Sequence, residues 1–194
     1  MILFVAASRL LDILFQKLRW LFYTLTIFLW HKPIPFSTRI YGRIRRQHLP
    51  VRLRLGKNCH LSDGVFFGTS RTGDIEIGDN VSINLNSVIV AFERVSIGEN
   101  TAIAEMVSIR DQAHVFEPGI GVRGGKFDIA PVTIGRNVWI GRGVYIGAGA
   151  TIGDDCIIAA NSTVHGEFPS NVLISGSPAR IKQFLEPAGN DERD

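Results

Sequence analysis

An all-β fold of stacked, parallel coils is what the sequence predicts, on three observations. From Ile134 onward an aliphatic residue returns at every sixth position: Ile134, Ile140, Ile146, Ile152, Ile158 and Val164. The position after each is small: Gly135, Gly141, Gly147, Gly153 and Ala159. Four positions after each aliphatic stands another small or β-branched residue: Val138, Val144, Ala150, Cys156 and Ser162. A period of six fits neither a helix, with about 3.6 residues per turn, nor a half-buried strand alternating with a period of about 2. Three such hexapeptides close one triangular coil of a parallel β-helix. The aliphatics point inward, and the small residue beside each lets the chain pass a corner without a Cβ clash. Coils stack about 4.8 Å apart. Each buries its apolar face only against its neighbours, so several are required.

The remaining elements follow in chain order. Residues 1–32 are apolar and aromatic, broken by Arg9, Asp12, Lys17 and Arg19, and predict a helical, amphipathic segment. Its longest uncharged run, WLFYTLTIFLW over residues 20–30, is shorter than the ~20 residues a spanning helix needs. No basic stretch precedes a long apolar core and no small-residue cleavage site follows, so a signal peptide is not expected. Two readings stay open: a helix in a membrane surface, or one packed on its own domain or a neighbouring subunit. Charge favours the first. Between Asp12 and Asp63 there is no acidic residue, while Lys17, Arg19, Lys32, Arg39, Arg43, Arg45, Arg46, Arg52, Arg54 and Lys57 fall in that interval. Peripheral membrane contact through residues 1–57 is therefore expected. The whole-chain net charge of +3 is too mild to indicate nucleic acid.

Pro33 and Pro35 end the helix, and residues 33–54 read as a basic, extended connector. The repeat starts weakly at Leu55, Leu61 and Phe67, resumes at Ile77, Ile83 and Ile89, and continues at Ile97, Ile103 and Ile109. An irregular loop, residues 111–131, interrupts it, and the clean run from Ile134 completes it. The phases group into about five coils over residues 55–167. Residues 168–194 read as a loop, a short closing helix over residues 178–185 and an acidic tail. Cys59 and Cys156 occupy inward slots of hexapeptides, which predicts packed thiols rather than a disulfide. His31, His48, His60 and His165 show no ligand spacing, so no metal is expected. No phosphate-binding glycine loop, dinucleotide fingerprint or nucleophile elbow is present.

The repeat, together with Trp139-Ile140-Gly141 and Gly176-Ser177-Pro178-Ala179-Arg180, resembles the left-handed β-helix hexapeptide acyltransferases. Within them it is most similar to the sugar O-acetyltransferases, a group that includes maltose and galactoside acetyltransferases and modifiers of capsule and exopolysaccharide. The resemblance covers roughly residues 55–183 and supplies the hand of the coil, which spacing alone leaves open. It implies acetyl-CoA as acyl donor, a sugar or polysaccharide acceptor and a homotrimer; joined to the basic, aromatic N-terminus, it gives the expectation of a cytoplasmic enzyme peripheral on the inner face of a bacterial inner membrane. Lipopolysaccharide, capsule or exopolysaccharide biosynthesis is the implied setting.

In Ile109-Arg110-Asp111-Gln112-Ala113-His114 the resemblance makes His114 the general base. The chemistry needs one, because a sugar hydroxyl is a poor nucleophile until its proton is removed, and histidine titrates near neutral pH. Asp111 is the carboxylate nearest in sequence to orient the imidazole; Glu99, Glu105 and a backbone carbonyl are alternatives. Asn84 and Asn86, in Ile83-Asn84-Leu85-Asn86, resemble the family's asparagine pair near the acceptor, and Phe127 resembles a pocket residue. Trp139 would lie beside the pantetheine arm, Ala160 would offer it backbone groups, and Arg180 with Lys182 would meet the coenzyme's phosphates. His165-Gly166 and Gln183 depart from the galactoside enzymes' pattern, leaving Arg142 as a substitute cation. A backbone N–H near Gly141 or Trp139 would stabilise the oxyanion. Two other functions fit the same repeat: an N-acyltransferase acting on an amino or nucleotide sugar, and a non-catalytic β-helix scaffold module.

Overall fold

The computed structural model describes residues 2–28, 33–47 and 51–186, with side chains in the helix described for residues 10–26. His31, His48, residues 29–32 at the end of the apolar segment and most of the acidic tail lie outside the described residues. After the helix α1 (Ile2–Phe28) the chain winds through three sheets in rotation. The first face stacks Arg39–Ile40, His60–Leu61, Ser82–Ile83, Ala102–Ile103, Trp139–Ile140, Ile157–Ile158 and Val172–Gly176 in parallel. The second stacks Arg45–Arg46, Phe66–Thr69, Val88–Ala91, Ser108–Arg110, Tyr145–Ile146 and Thr163–Val164. The third stacks Leu53–Leu55, Asp74–Ile77, Arg94–Ile97, Val132–Ile134, Thr151–Ile152 and Glu167–Phe168.

This rotation makes six coils among the described residues, one more than the repeat predicts. The additional coil is built from the expected connector. On its second face the residue in register with Phe67 of the next coil is Arg46, which is exposed and donates to the Thr26 carbonyl of α1 at 3.3 Å. An arginine at the open end of the prism hides the hexapeptide from a search for aliphatics.

Inside, the aliphatics form columns in strict register, such as Ile40, Leu61, Ile83, Ile103, Ile140, Ile158 and Ile174 down the first face. All are buried, and each such side chain stabilises the fold by about 1.5–3 kcal/mol. The glycines beside them do not take left-handed backbone. They allow neighbouring coils to touch: a Cβ on Gly141 would stand 2.6 Å from the Ala160 nitrogen. The left-handed corners fall instead to asparagines, among them Asn58, Asn80, Asn86, Asn100, Asn137 and Asn161, with φ from 56° to 59°. Asparagine tolerates this region because its short amide bonds locally. Here Asn58 donates to Asn80 at 3.2 Å and Asn80 to Asn100 at 3.0 Å.

Both ends of the prism are covered. α1 lies on the first coil, where Trp20 Nε1 donates to the Ile34 carbonyl at 3.0 Å and the Ile44 N–H donates to the Tyr23 hydroxyl at 2.9 Å. At the other end the expected closing helix is a strand, Ala179–Phe184, running antiparallel to Val172–Gly176. Residues 179–184 carry no strong breaker, so local propensity does not decide the matter. The unpaired edge of the last coil does, because it offers a ladder of hydrogen bonds that a helix would leave open.

Candidate active site

The residues singled out in the sequence fall on two different edges of the prism. The edge between the second and third faces carries His114. Residues 111–131 leave the prism there and return to it, but not as an irregular loop. Gln112–His114 pairs antiparallel with Phe127–Ile129, with His114 opposite Phe127. Val115 continues the pairing to the Lys126 carbonyl at 3.0 Å, and Ala130 N–H to the Asp111 carbonyl at 2.9 Å closes the base. The result is a built arm with His114 on its inner strand.

Asp111 does not orient His114. It is fully buried, and its carboxylate accepts the backbone N–H groups of Phe92 (2.7 Å), Glu93 (2.7 Å) and Arg94 (2.8 Å) from the coil beneath. The chain swings out of the prism at this residue, so its side chain points into the corner while His114 points away from it. Glu105 is paired with Arg142 Nε at 3.3 Å, and Glu99 lies in the corner between the third and first faces. Among the described residues no carboxylate bonds to His114. What positions the exposed imidazole is the hairpin register and the Phe127 ring, whose centroid is 4.3 Å away. Phe127 rests in turn on Phe92 at 4.9 Å. Phe92 was not legible as a site residue; its only sequence signal is an aromatic at a corner position.

The edge between the first and second faces carries most of the others, stacked coil upon coil: Asn84 and Asn86, then Arg142, then Ala160. Asn86 is a left-handed corner residue whose N–H donates to the Asp63 carbonyl at 3.1 Å. Asn84 is exposed and not left-handed; its Oδ1 accepts from Ser62 Oγ at 3.4 Å. Trp139 stands on the adjoining first face, between Ala102 and Ile157, and is 58% exposed. Ala160 makes no backbone hydrogen bond among the described residues, so both its amide groups are available to an extended amide-bearing ligand. Arg180, opposite Ser175 on the closing strand, bonds the Ala179 carbonyl at 2.7 Å, and Lys182 follows it, also exposed. The N–H groups of Trp139 and Gly141 are consumed by the coil, donating to Cys156 at 2.9 Å and Ile158 at 2.8 Å. Neither is free for an oxyanion.

The same edge holds two residues that the sequence reading missed. Leu85 and Met106 are about half exposed and adjacent, with the Met106 N–H donating to the Leu85 carbonyl at 2.9 Å. Met106 is left-handed, φ 57°, where the other coils place Asn, Asp or Gly. A side chain that pays a steric penalty in this region, at a position three after Ile103, was a signal in the sequence. Among the described residues there is no cluster of three metal-ligating groups. Burial pushes the Cys59 and Cys156 thiols above their usual range, in keeping with their packed slots.

Taken together, the prism, its asparagine corners and the arm define the class: a left-handed parallel β-helix with an inserted hairpin. Residues 131–166 match the family described as bacterial transferase hexapeptide (six repeats). A putative lipopolysaccharide biosynthesis O-acetyl transferase of Escherichia coli K12 is 33% identical over 66% of this chain and 70% of its own length. Escherichia coli K12 galactoside O-acetyltransferase is 38% identical over 66% of this chain; the chain spans 61% of that relative's length. A solved galactoside acetyltransferase in complex with coenzyme A superposes with a TM-score of 0.57 at 30% identity, over 77% of this chain and 66% of that one. A Bacillus cereus N-acyltransferase reaches a TM-score of 0.68 over 78% of this chain and 82% of that one, but at 16% identity this likeness speaks to fold alone. The chain belongs to the hexapeptide-repeat transferase family.

Proposed function

We propose that the protein transfers an acetyl group from acetyl-CoA to a sugar hydroxyl, in a site shared between neighbouring copies of a homotrimer. The observation that carries this reading is the separation of the two groups of residues. His114 and Phe127 stand on one edge of the prism, and Asn84, Arg142, Ala160 and Trp139 stand on or beside another. A threefold assembly places one edge of each copy beside a different edge of the next, so each site would take its base from one chain and its coenzyme wall from the neighbour.

In this reading the pantetheine arm lies along Trp139 and the free amide groups of Ala160, and Arg180, Lys182 and Arg142 face the phosphates. Asn84, with Leu85 and Met106, walls the acceptor. An imidazole nitrogen of His114 takes the proton of the acceptor hydroxyl as its oxygen adds to the thioester carbonyl. The C–S bond then breaks, the acetyl group stays on the sugar oxygen, and the coenzyme leaves as a thiol after recovering the proton from His114. No acyl-enzyme is required. The relatives named O-acetyltransferases support oxygen as the acceptor atom, and the one named for lipopolysaccharide biosynthesis supports a surface glycan or its precursor.

The test is release of coenzyme A thiol from acetyl-CoA over a panel of neutral glycans and free or nucleotide-linked amino sugars. Neutral glycans should be the substrates, and His114→Ala should lower kcat by about 10²–10⁴-fold, the usual contribution of a general base. Equal rates in the two proteins would overturn the mechanism. Preference for amino sugars would move the reading to N-acylation. A melting temperature indifferent to coenzyme A would favour a scaffold.

A further inference from the structure

We propose that α1 lies in the surface of an anionic phospholipid bilayer, with its outer stripe among the acyl chains and the arginines of the first coil at the phosphates. This inference stands on the helix and its surroundings and does not rest on the acetyltransferase reading.

The helix leaves a long apolar stripe uncovered. A surface helix ordinarily turns its apolar stripe to the core and its polar residues to water. In α1 the protein side combines the rings of Trp20 and Tyr23, packed against the core, with polar groups that reach the first coil. Lys17 Nζ donates to the Phe36 carbonyl at 2.9 Å, Arg19 to the Tyr41 carbonyl at 3.0 Å, Trp20 Nε1 to the Ile34 carbonyl at 3.0 Å, and Tyr23 accepts from Ile44. The outer side is Leu11, Leu14, Leu21 and Leu25, each between 47% and 57% exposed, and the similarly exposed Leu18 and Phe22 border the groove toward the first coil. Such a continuous apolar stripe is far from the isolated apolar residues of an ordinary surface. Because the protein side of the helix already holds it to the prism, the stripe is not waiting to fold back onto its own domain.

Charge says what covers it. Arg39, Arg43 and Arg45 of the first coil are exposed and have no carboxylate partner among the described residues. Asp63, which lies beside Gly42, takes the backbone N–H of Arg43 rather than a guanidinium. The third face treats its arginines differently: Arg52 pairs with Asp74, Arg54 and Arg94 with Glu76, and Arg136 with Asp154. Between α1 and the first two coils lies a groove of about 580 Å³, lined by Phe22, Tyr23, Arg43, Arg45, Arg46 and Phe66. Aromatic rings beside guanidinium groups that have no carboxylate partner suit a phosphate headgroup with its chains alongside. A second copy on the same stripe would bring two rows of like-charged arginines together. The helix lies in the plane rather than across it: no described helix is long and apolar enough to span a bilayer, and Asp12, Lys17 and Arg19 interrupt α1 along its length.

The experiment is flotation of the full-length protein with vesicles of phosphatidylcholine alone or with one third phosphatidylglycerol. The wild type should float with the anionic vesicles at least tenfold better than with the neutral ones, and less at high salt. Leu14→Glu with Leu18→Glu, at positions about half exposed, should cut flotation at least tenfold. Arg39→Gln, Arg43→Gln and Arg45→Gln together should cost about tenfold or less per arginine removed. The inference is overturned by failure of the wild type to float with anionic vesicles, or by undiminished flotation of L14E/L18E. It is equally overturned if the lipid-free wild type is an assembly that this double variant splits into smaller ones without any vesicle binding, because a second copy then covers the stripe.

Discussion

His114 and Asp111 lie three residues apart and do different jobs. Asp111 satisfies three backbone N–H groups of the coil below, and a buried acceptor lost to three donors is costly. Asp111→Ala should therefore destabilise the fold by about 3 kcal/mol in denaturant unfolding. His114→Ala, on an exposed side chain, should change stability by less than about 0.5 kcal/mol while abolishing most turnover. If the two effects were reversed, the assignment of roles would be reversed with them. Proximity in sequence suggested an Asp–His pair because the swing of the chain at residue 111, which turns the carboxylate inward, is set by the return of the hairpin at Ala130. That contact spans 19 residues (130 minus 111) and has no local signature. The cysteines were legible, because a position in a repeat implies its burial. Their raised thiol pKa and their packing predict that neither Cys59 nor Cys156 reacts with a thiol reagent at pH 8 in the native protein, and that both react once it is unfolded.

At the scale of elements, the hexapeptide repeat was readable because a coil repeats its environment every 18 residues in the clean run, where Ile140 pairs Ile158. Where position in the stack changes the environment, the pattern fails. The first coil carries an exposed Arg46 where the next carries the buried Phe67, and the closing strand answers to an unpaired edge rather than to its own propensity. The glycines beside the aliphatics avoid a Cβ clash with the neighbouring coil, without left-handed backbone. Gly141→Ala would push a Cβ against backbone at 2.6 Å and should cost about 2–3 kcal/mol as overpacking. Gly124→Ala, in the short helix Val122–Gly124 of the arm, would meet only Ile120 at 3.5 Å and should leave the melting temperature unchanged. Equal melting temperatures for these two variants would contradict the stacking account. The arm itself was visible only as a break in the repeat, because its pairing is antiparallel and its glycines concealed the register.

For the whole molecule, the sequence pointed to the base and the cations that the proposed chemistry uses but not to their separation, nor to Leu85 and Met106. Trp139 stands on the first face and His114 beyond the second, on different edges of the prism, so the proposed site draws on a neighbouring copy. The measurement that tests this most directly is complementation between His114→Ala and Trp139→Ala. Each variant is purified alone, and the two are then unfolded and refolded together in equal amounts. Acetyl transfer is measured on the acceptor that the wild type uses best. Random assembly gives a wild-type His114 beside a wild-type Trp139 in about one quarter of sites. The mixture should thus recover about a quarter of wild-type activity, although each parent alone is nearly inactive. A mixture no more active than its parents would contradict a site shared between copies.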